Sequence, residues 1–544
     1  MFTFLGDVTL PVSLALMKYR EWNPFVAQTH RPGPTQEAVL WKILSTHAAT
    51  TFGTRHAFKT LRTYREFARE VPICTYEELR PLIEEQEATG RPHLTASRPI
   101  HYAQTSGTTG KPKHIPILPE TLEGIRRYQR LFAIAQWQGV PGIYRGAVLV
   151  ITGQTVEGHL PGGTPFGSMS GLLGDCLPEG IRRKSVLSGT SLPAADYRRR
   201  YLTMACRALA TPALSVLATP NPSMILRLLE VIREEFATLL DVLAGRVDRE
   251  AGMEALRSPV SSERLAVLRS FLGREARLDF GMLWPTLRAV VTWTGGNCAV
   301  LVPRLRSLLP DGARLIEMGY LSSECLGSLN VDVATNRCVL TLHENLFEFL
   351  ELEDGAAGSR QPRVLSELET GRKYSVIVTT PQGLYRYAMH DIVEVTGRFN
   401  ETPTIRFVQK GKGVTSITGE KLYEHQVIEA VEAALRSFAV RAEFYVMLAD
   451  VERARYALCV EIAPGMPEIG PAVDARLAEL NVEYRAKRDS GRLRPLEVHG
   501  VRPGTGEAYR RHCIERGQRE AQFKMVKLQY AHECSFDFLG QRSP

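Results

Sequence analysis

The sequence predicts an α/β protein: a large N-terminal domain of layered sheets, residues 1–409, followed by a smaller α+β domain, residues 410–544. Three observations carry that expectation. Helical periods alternate with short apolar strands up to about residue 400, several of those strands stop at glycines, and the order beyond residue 413 changes to helix, strand, strand, helix.

Taken in order, residues 36–45 form an amphipathic helix with Ala38, Leu40, Ile43 and Leu44 apolar, and Thr51-Phe52-Gly53-Thr54 reads as a turn. Residues 66–70 suggest a helix, 71–74 an extended segment, and Thr75 the cap of the next helix. The stretch 102–116 is built to hold an anion. Thr105, Ser106, Thr108 and Thr109 alternate with Gly107 and Gly110, so the backbone bends without Cβ clashes and offers N–H groups and hydroxyls together. Lys111 and Lys113 add positive charge, and a helical period starts after Pro119, which puts the loop beside a helix start. The Walker A pattern does not fit, because Gly110-Lys111 is followed by Pro112.

Residues 147–151 are a short apolar strand ending at Thr152-Gly153. The segment 158–174 carries too many glycines and prolines for regular structure, and serves either as pocket lining or as a surface excursion. Helices are expected over 196–209 and 222–243, the second capped at Asn221 or Ser223. The apolar strand within 284–294 stops at Gly295-Gly296, a strand end of the kind where open α/β sheets put ligands. Another strand, 313–319, runs into Tyr320-Leu321-Ser322-Ser323-Glu324, and 374–380 pairs with the alternating stretch 384–395. The polar segment Gln409-Lys410-Gly411-Lys412-Gly413 reads as a hinge, since two glycines absorb large backbone rotations. Beyond it come a helix over 423–438, strands over 442–448 and 456–462, and a helix over 473–486, a body able to swing as a lid.

Composition narrows the classes. Apolar residues at 44% and charged residues at 23% are ordinary for a globular protein. Lys and Arg exceed Asp and Glu by 67 − 59 = 8, without the basic runs of a nucleic-acid tail, so an anionic small molecule suits this charge better than nucleic acid. Nine scattered cysteines without a Cys-x-x-Cys pair read as reduced thiols of a cytoplasmic protein. The N-terminus has no basic leader, and no apolar run reaches membrane-spanning length.

Three strand-end elements fit one ligand, ATP. Tyr320 can lay its ring against adenine, Glu324 is the acceptor-only oxygen ligand that Mg²⁺ takes beside phosphates, and Asp391 can accept from a ribose diol. Each also has a plain structural reading, as a packed core tyrosine, a solvated glutamate and an Asp capping a turn.

On these residues the chain resembles the plant-type Gretchen Hagen 3 acyl-acid amido synthetases of the acyl-adenylate-forming superfamily. Thr105 to Pro116 is similar to the family's phosphate loop, Tyr320 to Glu324 to its Tyr-x-Ser-Ser-Glu element, and Tyr385-Arg386-Tyr387-Ala388-Met389-His390-Asp391 to its Tyr-Arg-Tyr-Arg-Val-Gly-Asp. Phe407 to Gly413 and Ser416 to Lys421 resemble its interdomain hinge and Glu-Lys element, and Gln522-Phe523-Lys524 its C-terminal Gln-x-Lys. The resemblance implies an adenylate-forming first domain and a mobile lid. It implies nucleotide contacts from Thr105, Ser106, Gly107, Thr108, Thr109, Lys111, Tyr320, Ser322, Ser323 and Asp391, joined by the strand-end pair Gly295 and Gly296. Glu324 is the implied Mg²⁺ ligand, and Lys524 or Lys421 the catalytic lysine. The implied reaction adenylates a carboxylic acid with ATP and transfers the acyl group to an amine, with an amino acid as the expected acceptor. Thioester formation on coenzyme A or a carrier protein shares the first half-reaction, and a non-catalytic nucleotide sensor is the alternative of another class. Ala388 and His390 depart from the family pattern, and His390 is expected to pack or hydrogen-bond rather than act as a base. The hormone-pocket residues do not carry over, so no particular acid is implied.

Overall fold

Four apolar runs form one parallel sheet: Ala147–Val150, Leu214–Ala218, Ala289–Thr292 and Arg314–Glu317, hydrogen-bonded in that order. Their near-continuous Val, Leu and Ile content follows from burial, as parallel strands are covered on both faces. The computed structural model describes residues 2–105, 112–188, 190, 192, 197–246, 258–353, 356–357, 361–411, 413–440, 442–461, 468–515 and 526–542. They divide into two compact units, one running to Thr105 and from Lys113 to Gln409, the other from Lys410 onward.

The first unit holds two further sheets. One has seven strands in the order Ala356–Ala357, Leu346–Glu353, Lys373–Thr379, Tyr387–Phe399, Thr402–Lys410, Arg337–Leu340 and Ser328–Asp332. The other has the order Lys113–Ile117, His101–Thr105, Pro165–Gly167 and Gly158–His159. The helix Pro119–Gly139 joins two of the sheets through Tyr128, whose hydroxyl lies 3.0 Å from the Met318 carbonyl and 3.1 Å from that of Ser328.

The N-terminal helices are tied to residues far along the chain. Gln36 donates to the carbonyls of Leu342 and Asn345, at 2.7 Å each, and accepts from the Phe347 amide at 2.8 Å. Arg386 is buried against Glu348, with its Nη2 2.7 Å from Oε1, and donates to the Ala68 and Val71 carbonyls at 2.7 and 2.8 Å. Removing either partner strands a buried charge, at a cost of about 3–5 kcal/mol. Tyr385 stacks on Phe52 with centroids 4.6 Å apart and donates to the Leu94 carbonyl.

In the second unit, the strands Glu497–Val501, Arg455–Glu461, Phe444–Asp450 and Leu528–Tyr530 form one sheet in that order, preceded in the chain by the helix Glu424–Ser437, with Gly470–Leu480, Val482–Asp489 and Thr505–Glu515 between strands.

Several local expectations change. The turn at Thr51 is the helix Thr51–Arg55, because the Thr50 hydroxyl caps it by accepting from the Gly53 amide. The span 222–243 is two helices, Pro222–Glu234 and Phe236–Leu243, broken where Glu235 leaves helical angles at φ −111° and ψ 17°. The stretch 473–486 likewise breaks at Asn481, which caps Val482–Asp489 through the Tyr484 amide. The segment 158–174 is not irregular throughout. It contains two short strands and most of the helix Met169–Asp175, which starts on a Ser168 cap. The capping box at Thr75 and Glu78 forms as the sequence suggests. Among the described residues no helix is long and apolar enough to cross a membrane, and the nine cysteines are free.

Candidate functional site

The carboxyl ends of two of the parallel strands carry the loops that bear the candidate residues. Ala289–Thr292 leads into Thr294, Gly295 and Gly296, while Arg314–Glu317 leads into Gly319 and Tyr320. Glu317 fastens these two loops together. One of its oxygens accepts from the Thr294 amide at 2.6 Å, the Thr294 hydroxyl at 2.6 Å and the Gly295 amide at 3.1 Å, and the other from the Gly319 amide at 2.8 Å. Burial pushes its carboxyl pKa up, against the pull of these donors. The backbone of Glu317 is itself held by Asn336, whose side-chain oxygen accepts from its amide, and by Asn330, which donates to its carbonyl.

Gly296 sits at φ +55°, and a Cβ there would come within 2.8 Å of the Phe407 ring. Only glycine meets both conditions at this approach. Phe407 in turn stacks on Tyr320, with centroids 6.0 Å apart and planes 7° from parallel. The Tyr320 hydroxyl donates to Asp391 Oδ2 at 2.7 Å. A hydrogen bond to a carboxylate is worth about 1.5–3 kcal/mol. Burial and the Asp391 charge hold the Tyr320 hydroxyl well above its ordinary pKa, so it stays a donor.

Asp391 reaches this position through a bulge. On the strand Tyr387–Phe399, Ile392 pairs with Ser375 but Ala388 with Ile377, so three residues lie opposite one, and His390 adopts φ +53°. The extra residues turn Asp391 inward, to 1% exposure, and leave His390 exposed.

The segment after Tyr320 is a tight hairpin closed by a Leu321–Leu326 bridge. The Ser322 hydroxyl accepts from the Cys325 amide at 3.1 Å, and the Ser322 amide donates to the Cys325 carbonyl at 2.9 Å. Glu324 is 5% exposed rather than solvated, and its carbonyl accepts from Gln382 at 2.7 Å.

Thr105 ends the strand His101–Thr105 opposite Lys113, so the phosphate-loop stretch connects two antiparallel strands. Ser106, Gly107, Thr108, Thr109 and Lys111 lie outside the described residues, as does Lys524. Lys113 is 7% exposed, donates to the Tyr387 hydroxyl at 3.1 Å and lies 5.6 Å from the Tyr76 ring centroid. In the second unit, Lys421 follows the buried Glu420 with φ +46°. Glu420 accepts from the Ile417 amide at 2.6 Å, the Thr418 amide at 2.8 Å and the Tyr456 hydroxyl at 2.6 Å, while Asn481 donates to the Glu420 and Lys421 carbonyls.

With this geometry in hand, sequence comparison gives three consecutive matches. Residues 22–313 match the GH3 family N-terminal domain, 338–410 the central domain and 425–532 the C-terminal domain. The chain belongs to the GH3 family. It is 26% identical to the probable indole-3-acetic acid-amido synthetase GH3.2 of Oryza sativa subsp. japonica, over 90% of this chain and 87% of that protein. It is 25% identical to indole-3-acetic acid-amido synthetase GH3.4 of Arabidopsis thaliana, over 92% and 89%. A solved structure, AtGH3.15 acyl acid amido synthetase in complex with 2,4-DB, superposes with a TM-score of 0.64 at 21% identity, covering 96% of each chain. The fold is therefore that of the GH3 acyl acid amido synthetases.

Within this GH3 chain, sequence reasoning missed Glu317. Its one local signal is an acidic residue closing an apolar strand, and its partners on the neighbouring loop lie 22 and 23 residues away. Arg386 lies inside the motif that bears the family resemblance and has a structural job there, pairing with Glu348.

Proposed function

We infer that this GH3 chain is an ATP-dependent ligase that adenylates a carboxylic acid, releasing pyrophosphate, and then transfers the acyl group to the amine of an amino acid, releasing AMP. One observation carries the reading most directly. Two elements that the family resemblance links to the nucleotide, Tyr320 and Asp391, lie 71 residues apart in sequence and share a 2.7 Å hydrogen bond beside the strand-end loops. The amido synthetase names of relatives spanning 90–92% of the chain point the same way.

In this reading Gly295 and Gly296 border the adenine, which packs along Tyr320, and Asp391 accepts from the ribose while Tyr320 holds its carboxylate in place. Thr105, Ser106, Gly107, Thr108, Thr109 and Lys111 cradle the phosphates, and Ser322 and Ser323 shape the turn that presents Glu324. Mg²⁺ would be held by Glu324 together with the substrate's own phosphates, a coordination one carboxylate suffices for. The described residues include no cluster of three His, Cys, Asp or Glu able to hold a metal by themselves, which fits a cation that arrives with the nucleotide. When bound it neutralises charge on the phosphate oxygens. Residues 410–544 form the mobile lid, turning about Gly411 and Gly413, and bring a lysine, Lys524 or Lys421, to that charge in one orientation.

The test is acid-dependent pyrophosphate release by the purified chain, followed by amino-acid and coenzyme A panels with the best acid and mass spectrometry of the product. Amide formation is expected. A thioester with no amide on any amine would overturn the transfer step. For the metal, Glu324→Gln should slow pyrophosphate exchange about 100-fold, ~2.7 kcal/mol, with little change in melting temperature. Unchanged exchange would remove Glu324 from the site.

A further inference from the structure

Beneath the strand ends lies a cavity of about 60 Å³, between the helix Pro119–Gly139 and the parallel sheet. It runs along the strand Ala147–Val150, from Tyr144 before that strand to Thr152 after it. At the Thr152 end it meets Thr219 and Met318, which directly follow the strands Leu214–Ala218 and Arg314–Glu317, and Met318 lies two residues before Tyr320. The space therefore opens where the nucleotide loops begin. Phe132, Ala133, Val148, Leu173, Val216 and Val291 supply much of its wall.

Among the described residues, none that lines it is charged. The polar ones are largely engaged with the protein. Gln129 donates to the Leu173 carbonyl at 2.6 Å, Tyr144 donates to the Gln136 side-chain oxygen at 2.9 Å, and the Ser170 hydroxyl accepts from the Gly153 amide at 2.9 Å. A charged group pushed into this space would lose its hydration without gaining a partner. Size sets a second limit. An apolar cavity of about 150 Å³ takes one benzene molecule, so this one takes a chain of about three carbons and neither an aryl nor an indole ring.

We propose that this cavity receives the acyl chain of the acid substrate, and that the substrate is a short aliphatic monocarboxylic acid with about three carbons beyond the carboxyl carbon. The carboxylate then sits at the Thr152, Thr219 and Met318 end, facing the nucleotide loops. The inference rests on the amido synthetase reading and adds the substrate class to it.

The test uses the full chain with ATP and Mg²⁺, measuring pyrophosphate release with butyrate, hexanoate, succinate, benzoate and indole-3-acetate, alongside binding of labelled ATP. Butyrate should exceed benzoate and indole-3-acetate at least tenfold in kcat/KM, and succinate should give no release above the acid-free control. Preference for benzoate or indole-3-acetate would overturn the short-chain assignment while leaving the amido synthetase reading standing. ATP binding with no release from any acid would overturn the assignment alone, and neither binding nor release would overturn both. Phe132→Leu enlarges the cavity and should raise hexanoate relative to butyrate about tenfold. Should that variant not fold, Val150→Ala, at a half-buried lining position, should move the ratio in the same direction. An unchanged chain-length profile in a folded variant would mean that the acyl chain lies elsewhere.

Discussion

Two glutamates, Glu317 half-buried and Glu420 fully buried, organise the two units in contrasting ways. Glu317 accepts from residues on two loops, at Thr294 and Gly295 on one side and Gly319 on the other, so it fixes one loop against another. Glu420 accepts from Ile417 and Thr418, three and two residues away, and folds a single loop onto itself, with Tyr456 as its tie to the sheet. The first device sets a distance between elements that the chain does not otherwise connect locally. The second sets only the conformation of the segment leading to Lys421. Damage to the first should therefore appear in ligand binding, and damage to the second mainly in whatever Lys421 does.

The largest effect is expected from Glu317→Gln. The amide keeps a single acceptor oxygen, so at least one loop loses its anchor, worth about 3 kcal/mol for hydrogen bonds to a charged group. Pyrophosphate exchange should fall about 100-fold, mostly through a raised KM for ATP, and Glu317→Asp should restore part of it. A fall in kcat alone, or in melting temperature alone, would show that Glu317 does not position the nucleotide loops.

Tyr320→Phe comes next. It keeps the ring on Phe407 and removes the hydroxyl from Asp391, for a loss of about 1.5–3 kcal/mol in ATP affinity. Equal ATP affinity in the variant and the unmodified protein would separate Tyr320 from the nucleotide.

Glu420→Gln should have the smallest effect on adenylation, under about tenfold, because its loop is local and Asn481 still holds the Glu420 and Lys421 carbonyls. Single-turnover transfer from preformed acyl-adenylate to an amine should change by a different factor. Equal changes in both half-reactions would leave the Lys421 segment with no separate role, and the contrast between the two glutamates would collapse.

Three of the four strands of the parallel sheet were legible as short apolar runs that stop at or near glycines, as at Val290, Val291 and Gly295, whereas Leu214–Ala218, which runs into Thr219 and Pro220, was not assigned. The seven-stranded sheet was legible in the pairing of 374–380 with 384–395 and not in the rest. Its strand Leu346–Glu353 alternates Phe and Leu with Glu, and two of those glutamates, Glu348 and Glu351, are buried by arginines distant in sequence or across a turn, Arg386 and Arg363. A local reading assigns such glutamates to solvent. Motif residues Tyr320, Glu324 and Asp391 could be named from sequence, whereas the bulge that aims Asp391 could not, since His390 is neither glycine nor asparagine. Lys113 looked like a second anion-binding charge, yet pairing with Thr105 leaves its ammonium buried beside Tyr76 and Tyr387.

The ties between the first hundred residues and the seven-stranded sheet also bear on how the chain is made. Gln36 waits for Leu342, 306 residues later, the Val71 carbonyl for Arg386, 315 residues later, and the Thr29 carbonyl for Thr402, 373 residues later. At about 5–20 residues per second, a ribosome takes on the order of 15–75 s to supply those partners. Throughout that interval the apolar side of Pro32–His47, with Val39, Leu40, Ile43 and Leu44, has no completed sheet to dock on. Nascent chains on neighbouring ribosomes of one message then expose identical unsatisfied faces, so synthesis is the stage of this protein's life at which a holdase has most to protect.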